Sequence, residues 1–215
     1  MSSKLDQLIF LGAPGSGKGT QAQKLVQNMG YTQLSTGDLL RAEVEKSSQL
    51  GQKIQGIMDR GDLVDDMTVL ELLEVNVDLD NQSYIFDGFP RNLDQTKLLD
   101  EHLLEKALKK ALYFEMDLEI LIQRIVNRRI ANGSGEIYNL ISKPPKVPGK
   151  CDISGEELVH RKDDNEETVR NRMDVFKENI EPVLEYYEGQ GILARIDASL
   201  GSDAVYQQIM ESIER

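Results

Sequence analysis

Short apolar runs alternate with longer stretches of helical periodicity along most of this chain. The runs that predict strands are residues 7–11, 32–34, 84–86, 111–114 and 192–196. Helical patterns fall near residues 18–29, 37–47, 67–79, 92–104, 118–129, 165–188 and 202–214. This alternation is typical of α/β proteins, and it predicts a parallel sheet covered by helices on both faces.

Two segments interrupt the alternation. Residues 35–64 are helical, but in short pieces separated by glycines, and residues 127–164 are rich in proline and glycine. A segment as long as the second one, without the periodicity of a core, is either disordered or a functional insertion. Apolar residues such as Ile137, Tyr138 and Ile153 favour a small folded flap.

Composition excludes several classes of protein. The net charge of −12 argues against a sequence-independent nucleic-acid binder, so an anion site must be built from locally gathered arginines. The lone cysteine, Cys151, cannot form an intrachain disulfide and fits a reducing compartment. Residues 1–6 lack the apolar core of a signal peptide, and no apolar run is long enough to span a bilayer. We therefore expect a cytoplasmic protein, with no membrane association and a monomer as the default.

The most informative motif is GAPGSGKGT at residues 12–20, directly after the first apolar run. A strand that leads through a glycine-rich loop into a helix builds a phosphate cradle from backbone N–H groups and the helix N-terminus. Lys18 completes the pattern G-x-x-x-x-G-K and can reach the outer phosphates of a triphosphate. Gly19 stands where a Ser or Thr usually ligates Mg²⁺, so the metal is expected to be held mostly through water and substrate phosphates. The competing interpretation, a glycine-rich turn without a ligand, is disfavoured by the spacing and the lysine.

Arginines without local acid partners form a second signal. Arg124 and Arg128 lie four residues apart on the predicted helix 118–129, with no acid at helical spacing. An anion between them would relieve their mutual repulsion, and the alternative is that they are solvated or paired with distant acids. Arg172 falls at the edge of an apolar helical stripe, where a half-buried guanidinium needs an anion. Arg170 is expected to point outward.

Acids near these elements allow more than one role. Asp164, with Glu167 three residues later, is interpreted first as a helix cap. Asp87 ends an apolar strand, and in phosphate-loop proteins such an Asp commonly meets Mg²⁺ or its waters, although it could also cap a turn. The turn 88–91 then places Arg91 at the C-terminal edge of the sheet, where ligands gather.

Four separated motifs, in order, resemble the signature segments of adenylate kinases, in the long-lid bacterial form of the nucleoside monophosphate kinase family. They are GAPGSGKGT at 12–20, STGDLLR at 35–41, DGFPR at 87–91, and RKDD at 161–164 followed by ETVR at 167–170. The resemblance runs from about residue 5 to 215. It implies a P-loop three-layer α/β fold with a parallel five-stranded sheet and two mobile insertions. The implied core is 1–34, 65–126 and 165–215, the AMP-binding domain is 35–64, and the lid is 127–164.

The resemblance also implies the reaction, reversible Mg²⁺-dependent phosphoryl transfer from ATP to AMP giving two ADP, in adenine nucleotide homeostasis. The residues implied to surround the transferred phosphoryl group are Lys18, Arg91, Arg124, Arg128, Arg161 and Arg172. Those implied to contact ATP are Gly15, Ser16, Gly17, Lys18, Gly19, Thr20, Arg128, Ile137, Tyr138 and Leu200. Those implied to contact AMP are Thr36, Arg41, Asp62, Leu63, Val64, Gly88, Phe89, Pro90, Arg91, Gln95, Arg161 and Arg172. Asp87 and Asp38 match the acids that meet Mg²⁺ through water.

The lid departs from one family pattern. Many lids bind zinc through four cysteines, or three and an Asp, and the matching positions here are Ala131, Ser134, Cys151 and Ser154. One soft ligand cannot make a tetrahedral site, so no zinc is predicted. Other relatives replace the metal with a polar network that includes a His and an Asp, and Ala131 and Cys151 thin that network too. The lid is therefore expected to rest on its apolar residues, with Cys151 packed as a small hydrophobe.

Three other functions stay open at this stage. A kinase for UMP, CMP or another monophosphate would use the same phosphate machinery with a different acceptor. A nucleotide switch or hydrolase would turn over ATP without a monophosphate, and a purely structural or binding protein would not turn it over at all. His102 and His160 have no triad or metal spacing around them, so both are expected to be non-catalytic.

Overall fold

The computed structural model describes residues 6–214; residues 1–5, on which most of the signal-peptide expectation rests, and residue 215 lie outside it. The helices are α1 (Lys18–Met29), α2 (Thr36–Glu45), α3 (Gln49–Arg60), α4 (Asp66–Glu74), α5 (Leu93–Leu99), α6 (Leu118–Val126), α7 (Glu166–Gly189) and α8 (Ser202–Ile213). The strands are β1 (Asp6–Leu11), β2 (Thr32–Ser35), β3 (Tyr84–Asp87), β4 (Leu108–Glu115), β5 (Arg128–Ala131), β6 (Ile137–Asn139), β7 (Leu158–Val159) and β8 (Leu193–Asp197). A π-helical turn (Asp100–Leu104) follows α5, and a 3₁₀ turn (Lys162–Asp164) precedes α7.

Five parallel strands form the central sheet in the order β2-β3-β1-β4-β8. Strand β1 lies in the middle, and its side chains alternate between two cores. Ile9 and Leu11 join the cluster on one face, whereas Leu8 and Phe10 join the cluster on the other. A strand covered on both faces must be apolar throughout, which is why these runs stood out in the sequence. The predicted α/β fold with a parallel five-stranded sheet is confirmed.

The observed elements correct three helix boundaries. The predicted helix 118–129 is wrong at its end, because α6 stops at Val126 and Arg128 starts β5. The Arg129 guanidinium donates to the carbonyl oxygen of Val126, and β5 pairs with β6 beyond that point. The predicted helix 67–79 ends at Glu74, and the pattern 92–104 divides into α5 and the π-helical turn.

The two irregular segments each have structure of their own. In residues 35–64, α2 and α3 approach closely at Gly51, where a Cβ atom would lie 2.6 Å from the carbonyl oxygen of Glu43. In residues 127–164, a small antiparallel sheet has the order β6-β5-β7, with Ile130 paired to both Ile137 and Val159. The division into a core and two mobile insertions stays a prediction.

No helix within residues 6–214 combines the length and the apolar character that crossing a bilayer requires.

Candidate functional site

The phosphate-loop motif forms a tight turn between β1 and α1. Gly15 and Gly17 have φ angles of 82° and 94°, a region that favours glycine. A Cβ atom on Gly15 would also lie 2.8 Å from Cγ1 of Ile125, so α6 packs directly on the loop. Gly17 caps α1 without a side chain, which leaves the first N–H groups of the helix for an anion.

Lys18 lies inside this turn. Its Nζ donates to the carbonyl oxygens of Gly12 (2.8 Å) and Ala13 (2.9 Å), and to the Ser16 hydroxyl (3.4 Å). Burial lowers the pKa of Lys18 to about 8; Asp87 acts against this shift, and three neighbouring arginines add to it. The ammonium is thus held in a desolvated position, where a phosphate would stabilise its charge.

A single cavity of about 1130 Å³ joins the phosphate loop to both irregular segments. Every residue that the sequence implied for phosphoryl transfer, ATP, AMP or Mg²⁺ lines this cavity. The four positions that match zinc ligands in other lids are not among its lining residues. The structure therefore brings the predicted site residues, which lie between positions 15 and 200 of the chain, together around one cavity.

Arg128 reaches the cavity from β5 and not from a helix, which corrects the expectation of a repelling helical pair with Arg124. It donates from Nε (2.9 Å) and Nη2 (2.5 Å) to the carboxylate of Asp164, which is fully buried. Burial acts to lower the pKa of Arg128, but Asp164 outweighs it and the net shift is upward. Arg128 thus pairs with an acid that is distant in the chain, and its contact with a bound anion stays a prediction.

The expectation that Asp164 caps the following helix is also wrong. The cap of α7 is Asn165, whose Oδ1 accepts from the backbone N–H of Thr168 at 3.0 Å. Asp164 instead serves as the partner of Arg128 across 36 positions of the chain. Sequence reasoning found the capping region but chose the wrong residue one position away.

Two further acids hold the other arginines. Asp163 accepts from Nη1 of Arg172 at 2.9 Å and lies 3.9 Å from Nη1 of Arg41. Asp38 pairs with Nη2 of Arg41 at 2.5 Å and with Nη2 of Arg161 at 2.8 Å. Burial lowers the pKa of both Arg172 and Arg161 to about 10, and neighbouring arginines add to this effect. These two acids line the cavity together with the arginines and orient the guanidinium groups.

Three of the cations implied for phosphoryl transfer, Lys18, Arg91 and Arg124, form no ion pair with an acid among residues 6–214. Arg124 on α6 forms no ion pair there, and Arg91 donates from Nε to the carbonyl oxygen of Gly88 at 2.6 Å. Burial lowers the pKa of Arg91, and Asp87 acts against that shift. Arg170, by contrast, points outward and pairs with Glu166 at 2.8 Å, as predicted.

The two acids predicted near Mg²⁺ have different surroundings. Asp87 ends β3, and its Oδ2 accepts from Nε2 of Gln33 at 2.9 Å. The same oxygen lies 4.0 Å from where a Cβ atom on Gly19 would stand, so Asp87 faces the start of α1. A carboxylate beside a phosphate cradle suits Mg²⁺, which prefers hard oxygen ligands and keeps several waters. Asp38 is occupied by its two arginines.

The knuckle of the lid, which we define as residues 131–136 and 151–156, has a polar network centred on a residue that the sequence did not reveal. The Glu156 carboxylate accepts from the backbone N–H groups of Gly133 (2.7 Å) and Ser134 (2.9 Å) and from the Ser154 hydroxyl (2.7 Å). Hydrogen bonds from Ser154 and Gly133 lower the pKa of Glu156 to about 2. No spacing rule identifies Glu156, because its two backbone partners are more than 20 positions away in the chain.

Cys151 is buried beside this network, which confirms the expectation of a packed residue. Its Sγ lies 3.5 Å from the hydroxyl of Tyr138 and 3.7 Å from that of Ser134. Hydrogen bonds from Ser154 lower the pKa of the thiol to about 6. Within residues 6–214, no three His, Cys, Asp or Glu side chains lie close enough to hold a metal ion together, and the no-zinc expectation stays a prediction.

Comparisons with known proteins agree with this geometry. A family model described as "Adenylate kinase" matches residues 10–192. The chain is 44% identical over 212 residues to an adenylate kinase of Thermosipho melanesiensis, which covers 97% of this chain and 99% of that protein. It is 42% identical over 212 residues to an adenylate kinase of Archaeoglobus fulgidus, with 97% and 98% covered. An adenylate kinase of Nitrosococcus oceani is 41% identical over 211 residues, with 96% and 97% covered.

Proposed function

The chain belongs to the adenylate kinase family and is a phosphotransferase, and from that premise we propose that it transfers the terminal phosphoryl group of MgATP reversibly to AMP, giving two ADP. The observation that carries this proposal is the single cavity in which the phosphate loop meets arginines from separate segments. A cavity built for one nucleotide needs one set of cations. This one is lined by cations from segments that precede Asp87 in the chain and from segments that follow it, which suits two nucleotides meeting at their phosphates.

We propose distinct roles for the two sets. Residues 15–20 of the phosphate loop, with Ile137, Tyr138 and the backbone near Leu200, bind ATP. Thr36, Arg41, residues 62–64, residues 88–91 and Gln95 bind AMP. Lys18 with Arg91, Arg124, Arg128, Arg161 and Arg172 surrounds the transferred group and stabilises the charge on its equatorial oxygens.

The chemistry needs no general base, because the attacking phosphate oxygen of AMP is already ionised at neutral pH. Catalysis is then a matter of bringing that oxygen in line with the phosphoryl group and excluding water. The ion pairs from Asp163 and Asp164 to Arg172 and Arg128 hold two of the cations in place beforehand. This support lowers the reorganisation that the transition state requires.

Magnesium fits the residues on the ATP side. We propose that Asp87 holds Mg²⁺ through water, while Asp38 acts mainly through its arginine partners. The ion supplies neutralisation of phosphate charge when it is bound. The chain's own residues do the positioning: the phosphate loop fixes the triphosphate, and Gln33 fixes the carboxylate of Asp87.

We also propose a cytoplasmic monomer without a zinc centre, acting in adenine nucleotide homeostasis. The lone cysteine supports a reducing compartment. Ala131, Ser134 and Ser154 leave Cys151 as the one soft ligand at the four positions, which supports a lid without metal. Analytical ultracentrifugation and a zinc assay on purified protein would test both points.

The decisive experiment measures ADP formation from ATP with and without AMP, with Mg²⁺ present or chelated. We expect ADP formation to require both AMP and Mg²⁺. ATP turnover without AMP would indicate a hydrolase or switch instead, and a faster reaction with UMP or CMP would indicate a different monophosphate acceptor. Either result would overturn the proposal.

A further inference from the structure

Gln95, on α5, has its side-chain amide held at both ends. The side chain is 2% exposed, and the residue lines the cavity among those proposed to bind AMP. Its Oε1 accepts from the backbone N–H of Arg91 at 2.8 Å, and its Nε2 donates to Oδ1 of Asp66 at 2.7 Å. Asp66, the first residue of α4, is not among the described residues that line the cavity, so it lies behind Gln95.

The two partners fix which way the amide faces. The oxygen and nitrogen ends of a glutamine amide are similar in size, so an unconstrained glutamine can present either end to a ligand. A flip of Gln95 would set its NH₂ group against the N–H of Arg91, donor against donor. It would also set its oxygen against the Asp66 carboxylate, acceptor against acceptor. Both hydrogen bonds would be lost together.

The start of α5 also holds the carboxylate of Asp66 in place. Asn92 caps α5 by accepting from the backbone N–H of Gln95 at 2.7 Å. Its Nδ2 lies 3.5 Å from Oδ1 of Asp66, the same oxygen that Gln95 uses. The Gln95 amide is therefore positioned by the backbone N–H of Arg91 and by Asp66, and the Asp66 carboxylate by Gln95 and the capping residue Asn92.

Each end of the fixed amide retains one unused hydrogen-bonding position. Oε1 has a second lone pair and Nε2 a second N–H, so the amide offers one acceptor and one donor in a set order. A 6-aminopurine presents an amino donor beside the N1 acceptor, which matches this order. A 6-oxopurine presents an oxygen beside an N1–H donor, which opposes it at both positions.

We propose that Asp66 is a positioning residue for base selection, holding the Gln95 amide in the orientation that accepts 6-aminopurine monophosphates and rejects 6-oxopurine monophosphates. This inference rests on the proposed function, since it requires the base of the acceptor nucleotide to lie against Gln95. Selectivity for the base would then depend on a side chain that lies outside the cavity and acts on the nucleotide through Gln95.

The test compares kcat/KM for AMP and IMP at saturating MgATP, because these nucleotides differ only at the edge in question. We expect the wild-type protein to prefer AMP well over tenfold. Asp66→Ala should reduce that preference roughly five- to tenfold, the effect of losing one orienting hydrogen bond. Asp66→Asn should keep it within about twofold, since Asn retains an acceptor oxygen while losing the charge. Glu71→Ala, at an exposed acid of the same helix, is the control and should change nothing.

Several outcomes would overturn the inference. An unchanged preference for AMP over IMP in Asp66→Ala would show that Asp66 does not set the orientation of the Gln95 amide. Loss of AMP and IMP activity by one common factor would make the role of Asp66 purely structural. If Asp66→Ala does not fold, Asp66→Lys is the alternative variant, because it places a donor opposite Nε2 of Gln95. It should lower the preference for AMP over IMP at least as much as expected for Asp66→Ala. An unchanged preference in Asp66→Lys would contradict the inference. A wild-type protein that phosphorylates neither nucleotide would instead refute the proposed function.

Discussion

At the scale of single residues, the acids decide where the arginines lie. Asp163 and Asp164 are neighbours in the chain, yet each holds an arginine from a different element, Arg172 of α7 and Arg128 of β5. Buried carboxylates paired in this way orient the guanidinium forks, which otherwise carry considerable rotational freedom. Charge complementarity within the protein thus prepares the cavity for phosphates.

Removing single cations from this cavity should affect the reaction strongly. We expect Lys18→Ala or Arg91→Ala to lower kcat by well over tenfold, because each removes charge stabilisation that the transition state needs. The measurement is steady-state ADP formation. Arg170→Ala is the matched control, since Arg170 is exposed and pairs with Glu166 outside the cavity. Near-normal turnover in either cavity variant would contradict the assigned role.

The pH dependence should report Lys18. Because burial lowers its pKa to about 8, the free protein keeps the ammonium below that pH and loses it above. We therefore expect kcat/KM for ATP to fall as the pH rises through about 8, since this ratio reports ionisations of the free enzyme. Lys18→Arg should lower the overall value but flatten the alkaline fall, because arginine stays protonated there. An identical alkaline fall in that variant would assign the ionisation to another group.

Motifs and spacing identified many of the residues that line the cavity, but they did not identify the partners of those residues. The phosphate loop and the arginines stood out by type and spacing. The pairing of Arg128 with Asp164 joins positions 36 apart, and no helical or strand period connects them. The role of Asp164 became visible only once β5 and the turn before α7 were placed side by side.

At the scale of elements, the knuckle of the lid depends on one carboxylate. Glu156 ties the turn after β5 to the turn before β7 through two backbone N–H groups, while the Ser154 hydroxyl of its own turn donates to the same carboxylate. These are the two turns whose matching positions bind zinc in other lids of the family. In the zinc-free lid that we propose, the hydrogen bonds of Glu156 take the place of coordination bonds.

Glu156→Gln should loosen this element. The amide has one acceptor oxygen, so its NH₂ group would face at least one of the present donors. We expect amide hydrogen exchange at residues 131–136 to become several-fold faster, while exchange in the central sheet stays unchanged. Glu157→Gln, an exposed neighbour, is the control. Unchanged exchange in the knuckle would show that apolar packing alone holds it.

Acid should have the same effect on the wild-type protein. Folding lowers the pKa of Glu156 to about 2 from an ordinary value of 4.5, so its stabilising contribution is complete above pH 4.5. That contribution is lost as the pH falls toward 2. Glu156→Gln should show no such additional loss over this range in the exchange of residues 131–136.

Elements of the core were more predictable than those of the lid. Buried parallel strands such as β1 and β3 are largely continuous apolar runs, so they can be located from the sequence directly. The strands of the lid are only two to four residues long, too short for any period to emerge. The end of α6 was missed for a related reason, since pairing of Arg128 with Asn139 in the small sheet overrides a helical pattern that continues past it.

At the scale of the whole molecule, three parts of the chain meet around one cavity. The phosphate loop contributes Lys18, α2 contributes Asp38 and Arg41, and the lid contributes Arg128 and Arg161. The ion pair between Asp38 and Arg161 joins two of these parts directly. The cavity is lined by residues of both irregular segments, 35–64 and 127–164. A site for a single nucleotide would not need both, so this lining supports the proposal of two nucleotides.

A bisubstrate ligand should exploit this convergence. We expect diadenosine pentaphosphate to bind at least about a hundredfold tighter than ATP or AMP alone. Its two adenosine groups are linked, so binding of the second becomes an intramolecular step once the first is bound. Isothermal titration calorimetry gives both affinities and the stoichiometry, which should be one. An affinity no better than that of a mononucleotide would refute the two-site cavity.

The small sheet of the lid has a further consequence for the protein's architecture. Because β5 hydrogen-bonds to β7, the segment between them departs from and returns to the same spot on the molecule. The length of this segment is therefore not constrained by the parallel sheet. The entropic cost of closing a loop rises only slowly with the number of residues in it, so a shorter or longer segment would cost little more or less. The intervening residues 132–157 could therefore be exchanged for a different module without breaking the strand order of the parallel sheet, although the exchange would remove Ile137 and Tyr138 from the cavity.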